Sequence, residues 1–534
     1  MTMVVIYEKR HLAGLSLWLA LLLGSSTVVH TGKLLVVPMD GSHWTTIQAV
    51  AEKLGQRGHV VVVVIPQVSM RLGPTKHCTT KTYPVPYGQD LVNHLQAQHG
   101  RRMNMNKSEP FLERVSGKLK GMRNLRNFLT TTSESLLYNQ EVMSYLREQQ
   151  FDAVLTDPLV PTGAILAEHF SVPSVFLLRG IPCGLDFSAA ACPSPASFVP
   201  RFFTLNTDQM TFVQRVLNVL ISFLEPLLCR ILYQPFDNIA SRVLQRDATV
   251  AEILSHASIW LMRFDFTFDF PRPLMPNMAL VGGINCAVQK ALPQDLETFV
   301  EESGEDGFVV FTLGSIVSEM PKEMASRFSE AFRQIPQRVL WRHTGPLPDN
   351  LPENVRILNW LPQNDLLAHP KARAFITHGG THGIYEAICN GVPMVMVPLF
   401  GDQSDNVERM VHRGVAVALD IYSITTAKLL ETLNMIINEK SYKEKMTKLS
   451  AVHKDRPIEP LDLAVFWTEF VMRNKGADHL RVAAHELNWV QYHSLDVIGL
   501  LLLIIVTVVI VTVKCCTFCC RKCCSRKTLK KKKD

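Results

Sequence analysis

Residues 378 to 383, His-Gly-Gly-Thr-His-Gly, form a glycine-rich turn between a predicted strand and a predicted helix. Glycines at such a turn let the backbone approach a ligand, and the helix start offers free N–H groups and a positive dipole end. A phosphate group fits this arrangement, although glycines in such turns often serve packing alone. His378, Gly380 and His382 are therefore the first candidate phosphate ligands.

Two other predicted strands end in residues suited to the rest of a nucleotide. Ser315 closes the segment Thr-Leu-Gly-Ser at 312 to 315, a second small, polar turn that can surround a diphosphate. Trp360 and Gln363 follow a third strand and offer an aromatic face and an amide to a planar base. These residues extend the predicted phosphate site toward a base-binding site.

Three polar side chains supply contacts that sugars need. Glu386 lies one helical turn beyond the glycines and can accept hydrogen bonds from ribose hydroxyls. Asp402 and Gln403 follow the next predicted strand, where the hydroxyls of a second sugar would lie. Together with the turns and the aromatic residue, these groups predict a nucleotide-sugar site.

The first half of the chain offers a histidine and a carboxylate at the ends of two predicted strands, His43 and Asp157. They can form a pair in which the Asp fixes the tautomer of a histidine base and stabilises its imidazolium. The spacing also fits a helix-start turn with a purely structural histidine. Arg263 ends another strand, where it either reaches toward the negative charge of the donor or forms a surface ion pair with Asp265.

Short, Val-rich apolar runs separated by helical patterns are typical of buried parallel strands. They cover 33–37, 60–65, 151–156 and 172–178, and after Gly282 and Gly283 the pattern resumes at 308–313, 339–342, 373–377, 392–397 and 415–419. The predicted fold class is α/β, with two doubly wound, Rossmann-like domains facing a cleft. Ligands of such sheets bind outside the carboxyl ends of the strands, where the candidate residues cluster.

Charge and motif content exclude some functions. The formal net charge is +7, but residues 514–534 hold nine Lys or Arg and one Asp, so the rest of the chain carries −1. A nucleic-acid binder spreads basic residues over its folded surface, so we exclude nucleic acid as a partner. The sequence contains no Asp-x-Asp and no His/Cys cluster with metal-ligand spacing, which predicts a transfer without metal or other cofactor.

Two apolar runs predict targeting and a membrane anchor. Residues 12–23 follow Lys9 and Arg10 and precede small residues, as in a cleaved signal peptide over 1–26. The uncharged run 497–513 is long enough to span a bilayer, and the basic residues after it predict a cytosolic tail and a luminal body. The chain is expected to be a single-pass type I membrane protein.

Further sequence features bear on the expected cellular location and modification of the chain. The segment 531–534, Lys-Lys-Lys-Asp, resembles the dilysine signal of the endoplasmic reticulum membrane, with binding to anionic lipid as the alternative. Asn106 begins a glycosylation sequon. Six cysteines within 515–524 indicate palmitoylation, whereas the six scattered body cysteines fit either disulfides or buried thiols.

The segment 212–233 is apolar at helical spacing but is interrupted by Arg215, Glu225 and Arg230. We interpret it as an ordinary core helix that does not span a membrane. The alternative is a surface that dips into the bilayer or lines a channel for an apolar acceptor.

The 44 residues from Trp360 to Gln403 closely resemble the donor signature of UDP-glycosyltransferases. Three further segments are similar to vertebrate UDP-glucuronosyltransferases, family 1 in particular: FTLGS at 311–315, MPNMALVGGINC at 275–286 and HKDRPIEPLDLAVFW at 453–467. The resemblance covers nearly the whole chain after the signal peptide. It implies the glycosyltransferase-B type of two-domain fold with one C-terminal transmembrane helix.

The resemblance also implies a role for each candidate. Trp360 would stack on uracil, Gln363 would contact the base or ribose, and Glu386 would hold the ribose. The diphosphate would bind Ser315, His378, Gly380 and amides near His382, a position that is Asn in many relatives. Asp402 and Gln403 would hold the transferred sugar, while His43 would act as the base for the acceptor with Asp157 beside it.

The expected function is transfer of glucuronic acid from UDP-glucuronate, a co-substrate, to hydroxyl or amine groups of small lipophilic acceptors. UDP-glucose or UDP-N-acetylglucosamine as donor, and a noncatalytic membrane carrier of lipophilic ligands, are the alternatives. Homo-oligomers or hetero-oligomers with related transferases are compatible with the sequence. The expected domains are a signal peptide at 1–26, an acceptor-binding domain at 27–285, a UDP-sugar-binding domain at 286–480, a juxtamembrane segment at 481–496, a transmembrane helix at 497–513 and a cytosolic basic tail at 514–534.

Overall fold

A computed structural model describes residues 31–101, 111–286, 289–314, 317 and 319–530. The predicted signal peptide, Asn106, Ser315 and the segment 531–534 lie outside the described residues. The chain divides into two compact units, one ending at Leu480 and the other beginning at Arg481.

The first half of the larger unit alternates strands and helices. Its strands are β1 (Lys33–Val37), β2 (Val60–Pro66), β3 (Thr79–Tyr83), β4 (Ala153–Thr156), β5 (Ser174–Leu178), β6 (Ile259–Met262) and β7 (Met278–Leu280). Its helices are α1 (Ser42–Gln56), α2 (Gln89–Arg101), α3 (Phe111–Leu137), α4 (Gln140–Gln149), α5 (Thr162–Phe170), α6 (Leu185–Ala189), α7 (Phe212–Leu244) and α8 (Val250–Ser255).

The second half repeats this alternation. Its strands are β8 (Phe308–Thr312), β9 (Arg338–Arg342), β10 (Val355–Leu358), β11 (Ala372–Thr377), β12 (Met394–Met396) and β13 (Ala416–Ala418). Its helices are α9 (Gln294–Glu301), α10 (Lys322–Arg333), α11 (Gln363–Ala368), α12 (Thr381–Asn390), α13 (Gln403–His412), α14 (Thr426–Asn438), α15 (Lys440–Lys454) and α16 (Pro460–Asn474).

Within the described residues these strands form two parallel sheets, in the orders β3-β2-β1-β4-β5-β6-β7 and β10-β9-β8-β11-β12-β13. The predicted pair of doubly wound sheets is confirmed. In the first sheet Val37 lies opposite Thr156, so the ends of β1 and β4 are adjacent. In the second, Thr377 lies opposite both Thr312 and Met396, so the turns after β8, β11 and β12 meet at one edge.

The predicted ranges contain neither β3 nor β7, which lack the apolar signal, and β6 and β10 were implied only as strands that precede Arg263 and Trp360. β3 reads TTKTY and lies at the edge of the first sheet, where one or both faces meet solvent. β7 has three residues, too few to show a period. Strands buried on both faces, such as β4 and β8, follow the apolar pattern closely.

The last helix of the larger unit returns to the first half. α16 packs against α1, β4, β6 and β7. Glu469 of this helix pairs with Arg57 at 3.1 Å and with His59 at 3.2 Å. The return of α16 therefore packs the end of the larger unit against its first half.

The interpretation of residues 212–233 as an ordinary core helix is wrong for the first part of α7. Apolar side chains there are largely exposed, with Phe223 76% and Phe212 72% accessible, while Tyr233 and Phe236 near the other end are buried. α7 also passes the length and composition criteria for a membrane span, although charged residues and two prolines interrupt it.

Four body cysteines form disulfides, Cys183 with Cys229 and Cys286 with Cys389. Cys78 and Cys192 are free thiols. The alternatives left open by the sequence are thus both realised, since spacing along the chain does not reveal which sulfur atoms meet.

The smaller unit contains α17 (Trp489–Tyr492) and α18 (Leu495–Lys530). α18 includes the whole predicted span 497–513 and is long and apolar enough to cross a membrane. Its apolar side chains are exposed along the stretch, as expected for a helix whose partner is lipid.

Candidate functional site

His43 and Asp157 meet at the carboxyl edge of the first sheet. His43 lies in the first turn of α1, and Asp157 directly follows β4. His43 Nδ1 is 2.6 Å from Asp157 Oδ2, while Oδ1 accepts the backbone N–H of Leu159 at 3.0 Å. The contact makes Nδ1 the donor and leaves Nε2 as the basic nitrogen.

Arg263 is buried after β6 and contacts both halves of the molecule. Its NH1 lies 3.3 Å from Thr46 Oγ1 and 3.3 Å from His382 Nε2, and its NH2 lies 3.4 Å from His43 Nδ1. Thr46 Oγ1 is also 2.9 Å from His382 Nε2. The alternative of a surface ion pair with Asp265 is wrong, because Arg263 is buried and its guanidinium lies against His382 of the glycine-rich turn.

Both histidines of the glycine-rich turn are neutral near pH 7. Burial, together with the charge of Arg263, holds the pKa of His382 well below its ordinary value. Burial lowers the pKa of His378 to about 4, although the charge of Asp402 opposes this shift. Each neutral imidazole can donate one hydrogen bond to a ligand oxygen.

The His378 ring lies between two glycine backbones. A Cβ on Gly314 would come within 2.5 Å of the ring, and a Cβ on Gly380 would come within 2.5 Å of its Nε2. Gly379 between them has φ 87°, a conformation that favours glycine. Gly314 and Gly380 are therefore required for packing around His378, and Gly379 is required for the backbone conformation of the turn.

Trp360 is 59% exposed and has two guanidinium groups over its ring. Arg71, from the first half, lies 5.1 Å from the ring centroid, and Arg342 lies 5.4 Å from it. Asp40 holds the loop of Arg71 by accepting backbone N–H groups of Met70 and Arg71 at 2.6 and 3.0 Å. The predicted base-stacking residue thus receives contacts from both halves.

Gln363 and Glu386 form a direct pair. Gln363 begins α11, and its side-chain amide donates to Glu386 Oε2. Burial raises the pKa of Glu386 to about 7, although the hydrogen bond from Gln363 opposes the shift. The carboxyl group therefore changes protonation near neutral pH.

Asp402 and Gln403 lie at the start of α13, after β12. Asp402 Oδ2 accepts the side-chain amide of Asn406 at 2.9 Å. Gln403 is buried, and its Oε1 accepts the backbone N–H groups of Leu399 and Phe400 at 2.8 and 3.0 Å. Gln403 therefore shapes the loop with its oxygen, and only its amide nitrogen is left for a ligand.

The structure brings the candidates of the two halves together, and it adds three residues that the sequence did not reveal: Thr46, Arg71 and Arg342. Thr46 had a usable signal, because it lies three residues after His43 on the same face of α1. Arg71 and Arg342 had none, since ordinary loop and strand-end arginines acquire their contact with Trp360 only through the fold.

Two groups of possible metal ligands converge among the described residues, and neither was visible as a spacing in the sequence. In the first, Cys286 and Cys389 lie beside His453 but are bonded to each other; the second consists of Glu297, Glu301 and His369. His369 Nε2 lies 3.4 Å from Glu301, which also pairs with Lys371 at 2.7 Å. His369 precedes β11, whereas His378 follows it. The second group therefore lies at the opposite sheet edge from the donor candidates.

The family model described as UDP-glucoronosyl and UDP-glucosyl transferase matches residues 32–532. UDP-glucuronosyltransferase 1A1 of Rattus norvegicus is 53% identical over 475 residues, 89% of this chain and 88% of the relative. UDP-glucuronosyltransferase 1A1 of Homo sapiens is 51% identical over 477 residues, 89% of each chain.

Solved glycosyltransferases share the fold. The calicheamicin glycosyltransferase CalG4 has a TM-score of 0.53 at 17% identity, covering 83% of this chain and 99% of that one. The glycosyltransferase VinC, solved in complex with DTDP, has a TM-score of 0.51 at 18% identity, covering 84% of this chain and 100% of that one. The predicted glycosyltransferase-B fold is confirmed. With a family model and half-identical relatives spanning nearly all of the described chain, this protein belongs to the UDP-glucuronosyltransferases, enzymes that transfer a glycosyl group from a UDP-sugar.

Proposed function

We propose that the chain transfers glucuronic acid from UDP-glucuronate to a hydroxyl or amine of small lipophilic acceptors, with inversion at the anomeric carbon. One observation carries the proposal: Arg263 lies 3.4 Å from His43 and 3.3 Å from His382. The proposed catalytic base, His43, and the glycine-rich turn proposed to bind the diphosphate therefore contact the same guanidinium. Direct sugar transfer needs a base and a diphosphate site at this proximity. The acceptor-binding part is residues 27–285, and the UDP-sugar-binding part is residues 286–480.

Two unpaired atoms support donor binding at the turn. Thr377 Oγ1 and His378 Nδ1 are buried and have no partner in the described part of the chain. Because buried polar groups are nearly always paired, a ligand is the natural partner here. Diphosphate oxygens would bind these atoms and the first N–H groups of α12, next to His382 and Gly380.

The other candidates bind the remaining parts of the donor in this proposal. Trp360 stacks on uracil, and the Gln363–Glu386 pair holds the ribose and the base edge. Asp402 and the amide nitrogen of Gln403 bind the transferred sugar. This order follows the order of the strand ends, β10, β11 and β12, along the edge of the second sheet and its linked helices.

In the proposed reaction, Nε2 of His43 takes the proton of the acceptor hydroxyl as its oxygen forms a bond to the anomeric carbon. The bond between that carbon and the β-phosphate oxygen breaks, and its electron pair leaves with UDP. Asp157 stabilises the imidazolium of His43 during transfer. A single displacement of this kind inverts the anomeric configuration.

The charge that develops on UDP would be offset by Arg263 and the N-terminus of α12. We therefore propose that transfer needs no metal. Activity should persist in EDTA. A complete loss that added metal reverses would contradict this part of the proposal.

The proposal includes a luminal body held in the endoplasmic reticulum membrane by α18. The apolar stretch of that helix has Asp496 before it and Lys514, Arg521 and Lys522 after it, an asymmetry that favours a cytosolic tail. UDP-glucuronate must then be delivered across the membrane. Lipophilic acceptors can reach the body through the bilayer itself.

The donor is tested by competition in detergent-permeabilised microsomes that contain the full chain. UDP-glucuronate, UDP-glucose and UDP-N-acetylglucosamine are supplied together, each with a distinct label, to phenol, steroid and amine acceptors. We expect glucuronide to dominate, as the names of the half-identical relatives suggest. Preference for another donor would replace glucuronate, and no transfer from any donor would favour the noncatalytic carrier.

A further inference from the structure

A seven-residue segment after β6, Arg263–Asp269, carries two carboxylates that contact different helices of the second half. Asp265 contacts α12, and Asp269 contacts α13. These helices carry Glu386 at one end of the proposed donor site and Gln403, next to Asp402, at the other. The same segment begins with Arg263, which lies against His43.

Asp265 is joined to α12 through the hydroxyl of Tyr385, the residue before Glu386. The backbone N–H of Asp265 donates to this hydroxyl at 2.7 Å, and the hydroxyl donates to Asp265 Oδ1 at 3.2 Å. Tyr385 is buried, so water does not compete for either bond. One tyrosine oxygen thus fixes the distance between the segment and the proposed ribose-binding helix.

His453 completes this contact from the end of α15. Its Nδ1 lies 2.7 Å from Asp265 Oδ2, and its Nε2 lies 2.6 Å from Arg456, which also donates to the carbonyl of Gly282 at 3.1 Å. A single neutral tautomer satisfies both ring contacts. This His–Asp pair resembles the His43–Asp157 pair in form, but each of its ring nitrogens already has a protein partner.

The glycines at 282 and 283 are explained by this cluster. A Cβ on Gly282 would come within 2.4 Å of the Tyr385 hydroxyl oxygen, and a Cβ on Gly283 would come within 2.6 Å of His453 Nε2. Beyond them, Cys286 is bonded to Cys389 at the end of α12. The segments 275–286 and 453–456 therefore converge on the same helix.

Asp269 provides the second attachment. It is buried, and its carboxylate accepts from Arg179 at 3.1 Å and from Arg409 Nε of α13 at 2.8 Å. Arg413, the residue that directly follows α13, donates to the backbone carbonyl of Asp269 at 2.7 Å. Burial alone would raise the pKa of Asp269, but Arg409 and Arg179 hold it below its ordinary value, so the group stays ionised.

We infer that Asp265 and Asp269 are positioning residues that hold α12 and α13 in fixed register with Arg263 and His43. The inference rests on the proposed function for the identity of the donor contacts on those helices. Group transfer depends on atomic alignment, and a displacement of about 1 Å can cost on the order of 10²-fold in rate. Two attachments four residues apart set the two ends of the donor independently.

The test uses the full chain in permeabilised microsomes and two measurements, the KM for UDP-glucuronate and the inhibition constant of UDP. Tyr385→Phe removes only the hydroxyl that joins α12 to Asp265. Asp269→Asn removes the charge that joins α13, and Arg413→Gln weakens the same attachment without leaving a buried charge unpaired. Glu386→Ala reports a direct donor contact, and Glu302→Gln, which breaks an exposed pair with Arg338, is the matched control.

We expect Tyr385→Phe to raise the UDP inhibition constant and the donor KM together, by about 3- to 10-fold, the usual effect of a lost buried hydrogen bond. Asp269→Asn and Arg413→Gln should raise the donor KM and lower kcat while UDP inhibition stays normal. Arg413→Lys, which keeps a donor for the carbonyl, should restore part of the loss. Glu302→Gln should match the parent chain.

Protease resistance of the body is compared for every variant. If the body of the Asp269→Asn variant is not protease-resistant, the kinetic constants of Arg413→Gln and Arg413→Lys test the attachment of α13 instead. If Tyr385→Phe has a normal donor KM and a normal UDP inhibition constant while Glu386→Ala has raised ones, the positioning role is overturned and the donor assignment stands. Normal UDP inhibition in Glu386→Ala would overturn the donor assignment and this inference with it.

Discussion

At the scale of single residues, the site holds one buried positive charge between imidazoles. Burial lowers the pKa of the Arg263 guanidinium, while the charges of Asp157 and Asp402 act in the opposite direction. The Arg263 side-chain Nε has no partner among the described residues. A buried cation with incomplete pairing is costly, so an anionic ligand at this position would relieve the cost.

Removing the proposed base should separate catalysis from binding. His43→Ala should lower turnover of hydroxyl acceptors by about 10² to 10⁴, the usual contribution of a positioned base, with UDP inhibition nearly unchanged. Asp157→Asn should have a similar effect, because an amide cannot stabilise the imidazolium. Initial rates for both variants, with UDP inhibition as the control, check this. Near-normal turnover in either would remove that residue from the mechanism.

Donor affinity should depend on pH through Glu386. Its pKa is raised to about 7, so it gains a proton as the pH falls through neutrality and loses its capacity to accept two ribose hydrogen bonds. The donor KM should be flat above this pKa and should rise below it, by at most about tenfold per pH unit. Glu386→Gln should flatten the profile, whereas an unchanged slope in that variant would assign the titration to another group.

At the scale of elements, Gly380 in the turn after β11 leaves room for the His378 ring. Gly380 has an ordinary negative φ, so a side chain there would be harmful only through its collision with His378. A substitution at Gly380 therefore tests packing alone, whereas substitutions at Gly314 or Gly379 would also strain the backbone, because both residues have a positive φ.

Gly380→Ala should therefore displace the His378 ring and raise both the donor KM and the UDP inhibition constant. Gly88→Ala is the control, since a Cβ there meets nothing within 4 Å and φ is not in the left-handed region. Steady-state kinetics of the two variants check the prediction. Equal constants for both would mean that the ring moves without affecting the donor.

The exposed apolar side chains of α7 are expected to affect the entry of lipophilic acceptors. Leu220→Ser with Phe223→Ser replaces side chains that are 56% and 76% exposed, so unfolding stability should change by less than about 0.5 kcal/mol per site. If this face meets the bilayer, the KM of a lipophilic acceptor should rise while that of a polar acceptor stays constant. Leu347→Ser, 58% exposed in the second half, is the control. Equal changes for both acceptors would contradict membrane entry.

At the scale of the whole molecule, the chain combines an α/β body with a separate unit whose main feature is one apolar helix. The body contains two disulfides, which suit an oxidising compartment such as the lumen. The uncharged stretch of α18 followed by basic residues favours a cytosolic end.

The proposed topology predicts two observations on sealed microsomes. Protease should trim only the chain after Lys514, because the body is inside the vesicle. A mild detergent should raise activity, because UDP-glucuronate then enters freely. Immunoblots of the body before and after permeabilisation, with activity measured in parallel, check both. Digestion of the body in sealed vesicles would place it in the cytosol instead.

The order of buried strands and the residues at their ends were predictable from the sequence. Strands such as β4 and β8 are apolar on both faces, and strand ends with His43, Asp157, His378 and Asp402 carry polar residues where parallel sheets bind ligands. The glycine-rich turn was also predictable from the sequence, because glycine favours backbone conformations that other residues rarely adopt. The edge strand β3 was missed because one row of its side chains meets solvent.

Only the tertiary structure decided which groups meet across the two halves. Arg263 with His382, Arg71 with Trp360, and Asp265 with Tyr385 are separated by more than a hundred residues, and no local pattern records such a pairing. The same holds for the disulfides and for the exposure of α7, whose apolar spacing is identical in a core helix and in a membrane-facing one. Local chemistry is a property of the sequence, whereas burial and partners depend on which surfaces the whole chain brings together.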